Sequence, residues 1–177
     1  DTYRSDSNQD YMRYNVATTF TRAAEEGLID VAASMHVGPR GPTNDDTVFD
    51  YTRDVGFKLV DGYELFETGL TNTANSLVSD LHGRDVYLCF DMDFFDPSCA
   101  PGVCTPTWGG ASAREGLGLL QALSGLNVVG ADINTVSPPH DVGGMTAFLA
   151  GTVALEILTL FCHAKGLIPD NSQPACS

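Results

Sequence analysis

Two aspartates set two positions apart, Asp91 and Asp93, are the residues of this sequence best placed to do chemistry. They lie in Phe90-Asp91-Met92-Asp93-Phe94-Phe95-Asp96-Pro97, directly after the apolar run Val86-Tyr87-Leu88-Cys89. In an extended segment, residues two apart face the same way, so both carboxylates are expected to point into one space at a strand end. Adjacent carboxylates repel unless something positive sits between them. A divalent metal ion is the simplest such partner, and an all-oxygen ligand set suits harder ions such as manganese. The competing reading is a pair of solvated acids at a loop entry, which is the commoner fate of a bare D-x-D.

The surrounding sequence reads as alternating strands and helices. Residues 86–90 and 128–131 are short apolar runs ending at Asp91 and Asp132, each expected to be a buried strand. Residues 33–38 read as a further strand and 57–60 as another short apolar run. Helical composition or periodicity covers 18–26, stopped by Gly27, and 63–81, weak around 69–73. It returns over 112–123, with Ser112 as N-cap, and in the apolar stretch that Gly166 closes. Residues 39–54, rich in Pro, Gly, Asn and Asp, are expected to form a surface loop, as are 1–15, 96–110 and 137–144.

Strands alternating with helices imply βα units and a mostly parallel sheet. Because the strands are apolar throughout, helices are expected on both faces, giving a three-layer α/β/α architecture in a single domain over 1–177. Ligands of such sheets bind beyond the carboxyl ends of the strands, where Asp91, Asp93 and Asp132 fall.

The formal net charge of -14 argues against nucleic acid as a partner, since phosphate contacts need clustered Lys and Arg. A negative field concentrates cations, which fits a cationic substrate, although acidic residues also serve simple solubility. The five cysteines, Cys89, Cys99, Cys104, Cys162 and Cys176, show no C-x-x-C pair and no regular spacing. Free thiols in a reducing cytoplasm are therefore expected. The apolar run 143–161 contains Glu156 and several Thr and Gly residues and reads as a core helix rather than a membrane span. Asp1-Thr2-Tyr3-Arg4 has neither an initiator Met nor signal-peptide character, so a fragment is expected.

The loop after the aspartates continues Pro97-Ser98-Cys99-Ala100-Pro101-Gly102-Val103-Cys104-Thr105-Pro106-Thr107-Trp108-Gly109-Gly110. Together with Asp91, Asp93 and Asp96 it resembles the signature of the ureohydrolase (arginase/agmatinase) family, D-x-D-x-x-D-P followed by A-P-G, T-P and G-G. Cys89 stands where that family usually has Ser or Thr. Ala23-Ala24-Glu25-Glu26-Gly27-Leu28-Ile29-Asp30 with Gly38-Pro39-Arg40-Gly41 is similar to the family's E-E-G-L-I-D and G-x-R stretch. Asn127-Val128-Val129-Gly130-Ala131-Asp132 with Val136-Ser137-Pro138-Pro139-His140-Asp141 resembles its N-V-V-G-x-D and V-x-P-x-x-D segment. Asp1-Thr2-Tyr3 looks like the end of its D-A-H-x-D-T motif.

The resemblance implies an arginase-like partial domain, the C-terminal part of an enzyme that hydrolyses a guanidino group and releases urea. It implies two divalent metal ions, manganese or in some members nickel, that activate water. Asp1, Asp91 and Asp93 are then metal ligands, and the remaining ligands, two His and one Asp, belong to a portion N-terminal to this chain. A small cationic guanidino substrate and a trimeric or hexameric assembly are implied as well.

Two positions depart from the family pattern. Val16 stands where the family's H-G-T has His, and Thr135 stands where D-x-x-E has the Glu that pairs with the substrate. Such a change is expected either in a pocket rebuilt for another guanidino compound or in a non-catalytic paralogue acting as a binding or regulatory subunit. In the rebuilt pocket Val16 and Thr135 line the substrate, Trp108 stacks on a planar cation, and His140 takes over proton transfer. Thr107-Trp108-Gly109-Gly110 and Asn134-Thr135-Val136-Ser137 look similar to a guanidine-hydrolase branch, which makes free or simply substituted guanidine the leading substrate. Agmatinase or guanidinobutyrase activity is the alternative.

Overall fold

The computed structural model describes residues 13–43 and 47–168. They fall into two compact units that divide between Asp61 and Gly62. The first unit holds helix α1 (Thr19–Glu25), strand β1 (Met35–Val37), helix α2 (Val48–Val55) and strand β2 (Lys58–Val60). β1 and β2 pair in parallel, His36 opposite Leu59, with α2 crossing between them. A 3-10 turn over Val16–Thr18 leads into α1 and is held by a reciprocal cap, Asn15 with Thr18. His36 packs edge-on to Phe20 and Phe57, with ring centroids 6.4 and 5.2 Å away. Burial drives its pKa down from 6.5 to about 4.

Helix α2 departs from the surface loop expected over 39–54. Val48 and Thr52, one turn apart, are buried on one face, while Asp50 and Arg53 pair at 3.4 Å on the outside. The turn-forming residues of 39–46 dominate the local composition and mask this short helical period, which ends at Gly56 with φ 111°.

The second unit holds α3 (Gly62–Thr68), α4 (Leu70–Asp80), β3 (Asp85–Asp91), α5 (Ala113–Ala122), β4 (Asn127–Asn134) and α6 (Met145–Ala164). The expected helix over 63–81 is two helices, broken at Gly69, whose φ of 85° no helix interior accommodates. β3 and β4 form a parallel pair connected through α5. Their register runs from Asp85 opposite Asn127 to Asp91 opposite Asn134, with one irregularity between Val86 and Tyr87. Ser112 caps α5 as expected, in a capping box with Glu115, and those hydrogen bonds lower the Glu115 pKa.

Helix α6 packs on β4 and α5, and α4 packs on α5. Met92, Phe95, Leu120, Val128 and Val153 form the fully buried centre of this unit. By length and composition α6 is apolar enough to cross a bilayer, yet Val153, Ile157 and Leu160 bury one side of it in the core. Phe148, Leu155 and Leu158 lie exposed on another side, as do Tyr87 of β3 and Val129 of β4. Each unit is thus of the α/β class, with parallel strands joined through helices.

Candidate active site

The parallel register of β3 and β4 brings two strand ends side by side and sets the chain after each against the other. β3 stops at Asp91, and a 3-10 turn over Met92–Phe94 follows at once. The turn is closed by Asp91 itself, whose Oδ1 accepts the Asp93 backbone N–H at 3.1 Å. Both carboxylates are half-buried at the carboxyl end of the strand.

Each of the two is also met by a threonine hydroxyl. Thr105 Oγ1 donates to Asp93 Oδ2, and Thr135 Oγ1 donates to Asp91 Oδ1. Thr135 directly follows β4 and carries a φ of 65°, alone among the described non-glycine residues in having positive φ. Its carbonyl accepts the Cys104 N–H at 2.9 Å, beside an antiparallel bridge between Val103 and Val136. Threonines have no charge, so the sequence carried no signal for these contacts beyond their nearness to the motif.

The loop between the aspartates and α5 is built around Asp96. Its Oδ2 accepts the N–H groups of Gly109 and Gly110 at 3.0 and 3.3 Å, and its Oδ1 that of Ser98 at 3.0 Å. These bonds, those to Ser98 foremost, hold the Asp96 carboxyl below the usual range. The base of the loop closes where Asp96 N donates to Ala111 O at 2.8 Å, next to the buried Phe95. Trp108 sits in this loop with 74% of its surface exposed.

The loops after the two strands are tied together at Gly102. Its N–H donates to the fully buried Thr146 Oγ1 at 2.8 Å, and its carbonyl accepts the Ser137 N–H at 2.7 Å. A Cβ on Gly102 would lie 2.5 Å from the Asp141 Cβ, so only glycine permits the approach. Asp141 in turn accepts the N–H groups of Val142, Thr146 and Ala147 at 2.9–3.0 Å, taking the capping role for α6 that Gly144 cannot fill. Burial opposes ionisation of Asp141, but these hydrogen bonds prevail and its pKa lies below the ordinary value.

Asp132 lies inside β4, which runs on to Asn134 rather than ending at Asp132, and is engaged otherwise. Its Oδ2 accepts the Tyr87 hydroxyl and its Oδ1 the Asn134 amide, both at 2.6 Å. The Tyr87 bond pushes that phenol up to about 12. Burial, then the Asp132 charge, also pushes the Cys89 thiol up to about 12, which keeps it protonated at neutral pH.

The structure therefore brings Asp91, Asp93, Thr105 and Thr135 together. His140 lies exposed in the loop after β4, with Nδ1 2.7 Å from Ser137 Oγ. Val16 lies in the other unit, 88% exposed in the turn before α1. Asp1, the remaining expected ligand, lies outside the described residues. Cys89, Cys99, Cys104 and Cys162 are free thiols.

As a cation site, the arrangement fits in kind, because two ionisable carboxylates offer hard oxygens on neighbouring residues. It does not fit in number. Among the described residues no three His, Cys, Asp or Glu side chains gather as a metal ion requires. Asp91 and Asp93 amount to part of a ligand set.

Paired carboxylates at the carboxyl end of a parallel strand lie where α/β sheets bind their ligands. Comparison with known proteins narrows the reading. Residues 1–160 match the model of the arginase family, and the chain belongs to that family. It is 37% identical to guanidinopropionase of Pseudomonas aeruginosa over 165 residues, which is 90% of this chain and 51% of that protein. It is 38% identical to proclavaminate amidinohydrolase of Streptomyces clavuligerus, across 90% of this chain and 52% of that one. The solved structure of that amidinohydrolase superposes with a TM-score of 0.81 at 37% identity, covering 88% of this chain and 51% of the other. A hypothetical agmatinase from Burkholderia thailandensis superposes with a TM-score of 0.79 at 35% identity, covering 93% and 49%. The chain thus spans about half the length of the relatives it matches, and its fold is that of the arginase and agmatinase structures.

Proposed function

We propose that the protein hydrolyses a guanidino compound to urea with the help of two divalent metal ions, and that free or simply substituted guanidine is its substrate. The observation that carries this reading is the Asp91–Asp93 pair at the carboxyl end of β3 in a chain of the arginase family. A guanidinium is resonance-stabilised and a poor electrophile, so neutral water attacks it too slowly to be useful. Bound metal ions supply the Lewis acidity that makes water nucleophilic near neutral pH.

Asp91 and Asp93 would hold those ions, with manganese preferred and nickel the alternative. Asp1 and ligands contributed N-terminal to it would complete the set. The chain's other residues then act on the substrate. Exposed Trp108 offers a face on which a planar cation stacks, a contact worth roughly 0.5–2 kcal/mol. His140, whose Nδ1 is oriented by Ser137, carries a proton toward the departing amine. Val16 stands where the family pattern has His, and Thr135 puts a short, uncharged side chain where that pattern has the Glu that pairs with the substrate. Charge balance is simple, since guanidinium and water give urea and ammonium. The reading includes a soluble, cytoplasmic protein assembled as a trimer or hexamer, and a single ureohydrolase domain that contains this chain.

A second substrate reading has its own support. Guanidinopropionase and guanidinobutyrase of Pseudomonas aeruginosa are both relatives at 36–37% identity, and their names point to ω-guanidino acids. The test is to load the natural full-length protein separately with manganese and nickel. Urea and ammonium are then measured from guanidine, 3-guanidinopropionate, 4-guanidinobutyrate, agmatine and arginine. Urea with equimolar ammonium from guanidine alone supports the first reading. Urea from a longer substrate transfers the assignment to that compound. No urea from any of them, with metal bound, leaves a binding or regulatory subunit.

A further inference from the structure

We infer that Thr135 is a positioning residue for the Asp91 carboxylate, a role that rests on the metal-site reading above but goes beyond it. Three features of the structure lead there. The Thr135 hydroxyl donates to Asp91 Oδ1, the same oxygen that accepts the Asp93 N–H. No hydrogen bond among the described residues engages Asp91 Oδ2, so the two donors fix the carboxylate by one oxygen and leave the other to face a cation. Turning the carboxylate about its axis would break both bonds at once.

The backbone supplies the second feature. A β-branched residue rarely adopts the left-handed conformation that Thr135 holds at φ 65°. Glycine would fit there with less strain, so the side chain must contribute something that the backbone does not need. The third feature is the anchoring of the residue on both sides. Thr135 O accepts the Cys104 N–H, and Val136 bridges Val103, so the hydroxyl is aimed by a fixed main chain. Partners of this kind orient metal-ligating carboxylates and tune how tightly they bind.

The test uses the natural full-length protein with Thr135→Gly, Thr135→Ser and Thr135→Ala, and reads manganese binding by calorimetry and electron paramagnetic resonance together with thermal stability. Thr135→Gly is expected to keep or raise the melting temperature, because strain is released, while manganese affinity falls about tenfold. Thr135→Ser keeps the hydroxyl and is expected to stay within about twofold of the natural protein, whereas Thr135→Ala loses affinity as the glycine variant does. Undiminished manganese affinity in Thr135→Gly overturns the inference, as does a serine variant that falls as far as the glycine one. A raised KM with normal manganese affinity overturns it in favour of direct substrate contact. Because the readout is metal binding, a protein that shows this pattern yet produces no urea refutes the proposed activity and not the role of Thr135. A natural protein that binds no manganese refutes both.

Discussion

Replacing Thr146 with valine exchanges a hydroxyl for a methyl of nearly the same volume at a position with no exposed surface. That hydroxyl accepts the Gly102 N–H at 2.8 Å, while the Thr146 backbone N–H donates to Asp141 Oδ1 at 3.0 Å. Gly102 cannot turn elsewhere, because it lies against Asp141 and its carbonyl is held by Ser137. The valine variant therefore leaves a buried N–H without a partner, which costs about 1–3 kcal/mol. Near 2 kcal/mol the ratio of folded to unfolded protein falls about thirtyfold. Thr146→Ser, which keeps the hydroxyl and loses one methyl, is expected to cost only about 1 kcal/mol. Urea denaturation of the natural protein and both variants measures the difference, with unchanged m-values showing that the midpoint shift reports stability. Amide hydrogen exchange at Gly102 and Ser137 should accelerate in the valine variant, since both belong to the same tie. A valine variant within about 0.5 kcal/mol of the natural protein, with Gly102 protection unchanged, would refute the idea that this hydroxyl holds the two site loops together.

Other consequences are open to direct measurement. His36 has a folded-state pKa of about 4 against an ordinary 6.5, so the unfolded chain takes up its proton first as pH falls. Stability from this residue is complete above 6.5 and is lost between 6.5 and 4, to a limit of about 3 kcal/mol. The natural protein should thus lose more stability between pH 7 and pH 4.5 than His36→Phe does, and equal losses would refute the assignment. Gly116→Ala places a Cβ 2.2 Å from the fully buried Phe95 ring and should destabilise by about 1–3 kcal/mol in a thermal melt. Asp96→Ala removes the acceptor for Gly109 and Gly110, so the Trp108 loop should loosen. Trp108 is the sole tryptophan, and its fluorescence anisotropy should drop in this variant but not in Ser98→Ala. Acidification should produce the same drop only below the usual carboxylate range, given the lowered Asp96 pKa.

The carboxylate pair, the strands that end at Asp91 and near Asp132, the Ser112 cap and the class of fold were all legible in the residue pattern. Each depends on neighbours within a few positions, where strand periodicity, helix capping and a contiguous motif act directly. Local composition misled where turn-forming residues crowded a short helix, at α2, where one periodic stretch hid a break, at Gly69, and in the two strands expected to be buried, which leave Tyr87 and Val129 exposed. Tertiary structure decided the rest. Thr135 meets Asp91 across 44 positions, Gly102 meets Thr146 across 44, and Tyr87 meets Asp132 across 45. These contacts exist because β3 and β4 run parallel in one particular register, which sets their loops against each other. Shifting that register by one residue would turn the side chains to the opposite face, and no local signal encodes it. The kinds of groups at the site were therefore set by the sequence alone, whereas which oxygen each hydroxyl holds follows from how two distant strands align.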